Sequence, residues 1–189
     1  MGIKSSSKPV RGYNIPLPRY TVEDYEKWKG DWELIDGIPY ALASPSLKHQ
    51  RLILYLAYLI ERQLREEDEC KDCIATIDTD YIVNEYTVLR PDIVVVCNEE
   101  GEKITKTPKV VIEVVSLSSK KMDEEIKPKI YSSEGVEYYL LAYPESGEIK
   151  GFSLIGGNYK PLQTESGKYK VKISEGCVIE IPQKVGWKI

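Results

Sequence analysis

The sequence predicts a mixed α/β sandwich, and three observations carry that reading. Two valine-rich runs, "RPDIVVV" and "KVVIEVVS", are apolar on both alternation phases, as in central strands covered on two faces. A long amphipathic stretch precedes them and a second helical stretch follows, so that helices and strands interleave. A tail that alternates apolar and polar residues between glycines closes the chain as short antiparallel strands.

The elements follow in order. The first twenty residues, rich in Pro, Ser, Gly and basic residues, read as loosely packed. "TVEDYEKW" starts a short helix, with Thr21 as its cap and Asp24 at the reciprocal position of a capping box. "WELIDGIPYALA" is a hairpin about Asp36-Gly37, a dipeptide suited to a two-residue turn. "SPSLKHQRLILYLAYLIERQLREED" is the clearest helix: Ser46 caps it, and Leu52, Leu56, Leu59 and Gln63 recur at three- and four-residue spacing. Strands are expected over residues 73–83, 91–97 and 109–117.

"SSKKMDEEIKPKIYSSEGV" is a second helix ended by Gly135, with Pro128 in its middle removing a backbone hydrogen bond and kinking or restarting it. "EYYLLAYP" is a further strand. At 189 residues the chain fits one domain. A core is expected over 20–144 and appended strands over 145–189, with the N-terminal hairpin and the C-terminal meander extending the central sheet.

The net charge of −4, from 26 basic and 30 acidic side chains, gives no global positive field, which counts against a high-affinity, non-specific nucleic-acid binder. The lysines at 103, 106, 109, 120 and 121 form a local basic cluster diluted by acids. "CKDC" has the close spacing of half a zinc site or of a redox pair, but no second CxxC or histidine pair completes a tetrahedral set, so the four cysteines read as reduced thiols. No apolar run reaches membrane-spanning length and no signal-peptide block opens the chain, so a cytoplasmic, non-membrane protein is expected. Serine elbows, Cys–His pairs, phosphate-binding loops and dinucleotide fingerprints do not occur, which leaves no nucleotide cofactor to expect.

The chemistry concentrates in two acids set into apolar strands, Asp92 and Glu113. If the two strands pair, both side chains project from one face, and close carboxylates repel unless a cation lies between them. Such hard oxygen ligands suit Mg²⁺ or Mn²⁺. Lys127 shares a helix face with Asp123 and Tyr131, four residues to either side, and can reach the pair if that face covers the sheet. The alternative is a structural ion pair between Glu113 and Lys127, with Asp92 capping a strand end beside Arg90. His49, the single histidine, is open to a local structural role or to one beside the site.

The succession "RPDIVVV", "KVVIEVVS" and "DEEIKPKIYSSEGVEYYLL" resembles the PD-(D/E)XK nuclease superfamily. Pro91-Asp92 matches its PD, and Glu113-Val114-Val115 its triplet without the terminal lysine. More narrowly, "WELIDG", "SPSLKHQ", "RPDIVVV", "VIEVVS" and "K…Y…GVEYYLL", in this order, resemble the Uma-two family of restriction-endonuclease-like proteins, formerly a domain of unknown function. The resemblance implies a restriction-endonuclease-like three-layer α/β/α core with a mixed central sheet. It implies a Mg²⁺- or Mn²⁺-dependent endonuclease acting on DNA, with Asp92, Glu113 and the Val114 carbonyl as metal ligands. Lys127, or Lys129 as a weaker substitute, replaces the missing triplet lysine, and Glu33 adds a ligand or holds the water. It also implies a homodimer, for which "VIEIPQKVGWKI" is the candidate interface. The competing implication is a catalytically degenerate copy of the fold that binds nucleic acid or protein.

Overall fold

A computed structural model describes residues 18–186, so most of the first twenty residues, expected to pack loosely, and the last residues of the candidate interface segment lie outside the described residues. The chain runs α1 (Val22–Tyr25), β1 (Trp32–Ile35), β2 (Ile38–Ala41), α2 (Leu47–Glu66), β3 (Cys73–Ile77), β4 (Tyr81–Asn84), β5 (Thr87–Leu89), β6 (Ile93–Cys97) and β7 (Val110–Val114). A π-helical segment (Met122–Ile126) then leads into α3 (Lys127–Ser133), followed by β8 (Tyr138–Ala142), β9 (Ile149–Ile155), β10 (Asn158–Pro161), β11 (Thr164–Glu165), β12 (Lys168–Lys172) and β13 (Val178–Pro182).

The fold is mixed α/β with a mixed central sheet, in the order β10-β9-β8-β7-β6-β3. Its β7–β8 pair is parallel and its other pairs are antiparallel. The valine runs are its central strands: every residue of β7 is buried, as are four of five in β6. On one face, Leu52, Leu56, Ile60 and Leu64 of α2 pack on Ile93, Val95, Ile112 and Val114. On the other, Val94, Val96 and Val111 meet Tyr131 of α3 and Tyr139 of β8. Each fully buried leucine contributes about 1.5–3 kcal/mol of transfer free energy, so α2 is held by its apolar stripe.

The local signals act as their chemistry requires. Thr21 and Asp24 close the capping box, and the Ser46 hydroxyl accepts from the His49 N–H. Asp36 and Gly37 both have positive φ (49° and 78°), the pair of left-handed residues that a type I′ hairpin turn needs.

Two topological expectations are corrected. The hairpin β1–β2 does not extend the central sheet; it joins β5 and β4 in a four-stranded sheet of its own. The strand expected over 73–83 is two strands, because Asp78 adopts a left-handed φ of 48° and turns the chain out of the central sheet. In the tail, β9 and β10 do extend that sheet, whereas β11–β13 form a separate one. The side chains of Tyr169, Val171, Ile179 and Ile181 join the α2 face of the core. Gln63 of α2 bonds the Glu180 backbone in both directions, at 3.0 and 2.8 Å.

The cysteines also differ from the reduced-thiol reading. Cys73 and Cys97 stand opposite each other across β3 and β6 and are disulfide-bonded. Cys70 is bonded to Cys177, tying the end of α2 to the small C-terminal sheet. The close spacing of "CKDC" suggested a local partnership, but each of its thiols finds its partner through the tertiary fold.

Candidate functional site

The register of β6 and β7 sets the geometry. Ile93 lies across from Ile112 and Val94 from Val111, so continuing by one residue places Asp92 opposite Glu113. Alternation then puts both acids on the face of Val94 and Val111, the α3 face of the sheet. Asp92 sits at the strand mouth, where its Oδ2 accepts the Val114 N–H at 2.6 Å.

Beneath that mouth lies a buried charge cluster. Lys127 Nζ contacts Glu33 Oε1 at 2.8 Å, Glu113 Oε1 at 3.2 Å and Asp123 Oδ1 at 3.6 Å. All four residues are at most 4% exposed. Tyr131 donates its hydroxyl to Glu113 Oε1 at 2.9 Å, so lysine and tyrosine share one oxygen. Glu33 is fixed from behind by the Arg90 N–H at 2.9 Å.

Three carboxylates face one ammonium, which is an excess of negative charge in a desolvated place. The titrations follow. Burial pushes Glu113 well above the usual carboxylate range, against the pull of Lys127 and with the repulsion of Asp123, Asp92 and Glu33. Burial raises Asp123 to about 6, again against Lys127. Burial opposes the charge on Lys127, but Glu113, Glu33 and Asp123 outweigh it and hold its pKa well above the ordinary lysine value. The amine therefore keeps its proton, and any neutral member of the cluster is a carboxyl.

The cluster opens onto a cleft of about 530 Å³. Asp92, Glu113, Asp123 and Lys127 line it, together with His49, Asp78, Arg90 and the hydroxyls of Ser116, Ser118 and Ser119. Glu33 is not among its lining residues. His49 Nε2 lies 3.5 Å from Asp92 Oδ1. Burial works against charging this imidazole, yet Asp92 and the Val114 carbonyl overcome it and raise its pKa. The histidine thus belongs to the cleft.

Arg90 does not pair with Asp92; its guanidinium binds Asp80 at 2.9 Å and Asp31 at 2.8 Å. In the basic cluster, Lys103 and Lys109 are paired with Glu26 and Glu137. Pro128 stands in the first turn of α3, and the helix restarts there. Lacking an N–H for the Glu124 carbonyl, it follows a wider turn in which the Lys127 N–H bonds Met122 O.

The donor set suits a hard divalent cation: it consists of carboxylates and a strand carbonyl, and one buried carboxylate oxygen, Asp123 Oδ1, has no hydrogen-bond partner. Among the described residues no three such side chains stand in a ready-made coordination arrangement. Lys127 occupies the point where Glu33, Glu113 and Asp123 converge. What sequence reasoning underrated is Asp123, whose signal was its four-residue spacing from Lys127.

Known proteins are consistent with this architecture. A solved structure titled a putative nuclease belonging to DUF820, from Anabaena variabilis ATCC 29413, superposes with a TM-score of 0.69 at 13% identity. The match covers 85% of this chain and 94% of the other, and at that identity it establishes a shared fold. No curated protein matches the chain. Among the described residues no helix is long and apolar enough to cross a membrane. The family Uma2, described as "Putative restriction endonuclease", matches residues 22–180, well over half of the sequence. The chain belongs to the Uma2 family.

Proposed function

We propose that this protein is a metal-dependent endonuclease that hydrolyses phosphodiester bonds in DNA. The observation that carries the reading is the buried, charge-unbalanced acid cluster opening onto a cleft large enough for a backbone phosphate. Asp92, the second oxygen of Glu113 and the Val114 carbonyl would hold Mg²⁺ or Mn²⁺. Bound there, such an ion supplies Lewis acidity and a water of lowered pKa. Lys127 holds a positive charge beside the scissile phosphate and orients the attacking water, and Glu33 positions the amine from behind. Ser116, Ser118 and Ser119 offer hydroxyls to phosphate oxygens.

With a net charge of −4, the bound cation supplies the attraction that the chain as a whole lacks. Two copies acting together would cut both strands. The two disulfides are more usual in an oxidising compartment than in the cytoplasm expected from the sequence.

A specific observation favours a second reading, a degenerate module that binds without cutting. Lys127 is already engaged by three carboxylates, and valine stands where the superfamily places lysine. Nicking of supercoiled plasmid DNA in Mn²⁺ separates the two. The enzyme reading expects nicks that vanish with chelator and in Glu113→Gln. Plasmid that is shifted on a gel but never nicked would support the module.

A further inference from the structure

Asp123 is 2% exposed and lines the cleft, and its buried Oδ1 has no hydrogen-bond partner. Leaving a buried carboxylate oxygen unmatched is unfavourable, so such a group needs a compensating partner. Lys127 is a poor one. Its amine makes its short contacts with Glu33 and Glu113, while its 3.6 Å approach to Asp123 is too long for a hydrogen bond.

The backbone is nevertheless pinned as though the carboxylate had to stay. The Asp123 N–H bonds Ser119 O at 2.9 Å, and the Tyr139 hydroxyl donates to Asp123 O at 2.7 Å. The segment is π-helical, a rare conformation that is frequent at functional sites. One ammonium stands against three carboxyl groups, so it can balance only one of them when they ionise.

Resting on the metal-dependent reading above, we infer that Asp123 becomes a third carboxylate ligand when the ion binds, joining Asp92 and Glu113, with which it forms no ready-made site beforehand. A hard dication matches the surplus charge and accepts oxygen ligands of this kind.

The test uses the full chain and its Asp123→Asn variant, with Glu125→Gln, an exposed acid of the same segment, as control. Mn²⁺ affinity is measured by calorimetry, and melting temperature is measured without metal. A ligand role predicts that Asp123→Asn binds Mn²⁺ at least about tenfold more weakly. It also predicts a metal-free melting temperature no lower than wild type, because a surplus charge has been removed, while Glu125→Gln matches wild type in both.

Equal affinity in wild type and Asp123→Asn would overturn the inference while leaving the metal-dependent reading standing. A metal-free Asp123→Asn that melts several degrees lower, or fails to fold, would make the carboxylate a structural counter-ion of Lys127 and overturn it too. A wild type that binds no Mn²⁺, even with DNA present, would remove both.

Discussion

Neighbouring residues of β7 lie in two different environments. Ile112 and Val114 face α2, in a layer of leucine, isoleucine and valine. Glu113, between them, faces α3 and lies within contact of Lys127 and Tyr131. One side of the strand is an ordinary core, where packing supplies the stability. The other surrenders stability to keep three acids and one amine out of water. A fold with enough apolar burial on one face can hold such a cluster on the other, so the expense of the second face points to chemistry.

That contrast can be broken most severely at Lys127. Lys127→Met leaves three buried carboxylates without a cation. A loss of about 3–5 kcal/mol is expected in chemical denaturation, partly recovered in millimolar Mn²⁺. A variant as stable as wild type without metal would mean the cluster is already largely neutral.

On the opposite face, Leu56→Ala removes a side chain of 0% exposure and should lose about 2–5 kcal/mol through a cavity. Its Mn²⁺ affinity, measured on the folded fraction, should stay at the wild-type value. A parallel loss of affinity would show that the two faces are not separable.

The pH dependence gives the smallest effect. Asp123 is raised from an ordinary 3.8 to about 6, so the folded state binds a proton that the unfolded chain has released. Its contribution is fully present below about pH 3.8 and is lost as pH rises through about 6. This amounts to roughly 2–3 kcal/mol. Glu113, raised further, acts in the same direction. Metal-free unfolding between pH 5 and 8 should therefore show stability falling from these two groups, and Mn²⁺ should flatten the slope. A metal-free protein whose stability rises across that window would contradict the assignment.

Much of the fold was legible because its signals are local. The leucine spacing of α2, the Asp36-Gly37 turn and the two valine runs each act within a few residues. Less was legible where non-local geometry decides. The break at Asp78 depends on a left-handed residue that hydrophobic pattern does not mark. The separate sheet of β1, β2, β5 and β4 depends on strand partners that alternation leaves open. The disulfides depend on register: Cys73 meets Cys97 only because β3 and β6 pair in that frame.

In the candidate site, Asp92, Glu113 and Lys127 could be named from motif order, and the structure puts them at one cleft. Glu33 sits behind Lys127 instead of at the cleft surface, a depth that no one-dimensional pattern encodes. Asp123 was visible only as a neighbour of Lys127, because its unpartnered oxygen is a property of the packed site.

The central claim is that the acid face of the sheet is a cation site. Calorimetric titration of millimolar Mn²⁺ into the wild type and into Asp92→Ala tests it most directly, repeated with DNA present because phosphate oxygens complete sites of this kind. Saturable binding in the wild type that disappears in Asp92→Ala is the predicted result. Equal binding in the two proteins, or none in either with DNA present, would contradict the claim and leave Lys127 as a structural counter-ion in a module that does not cut.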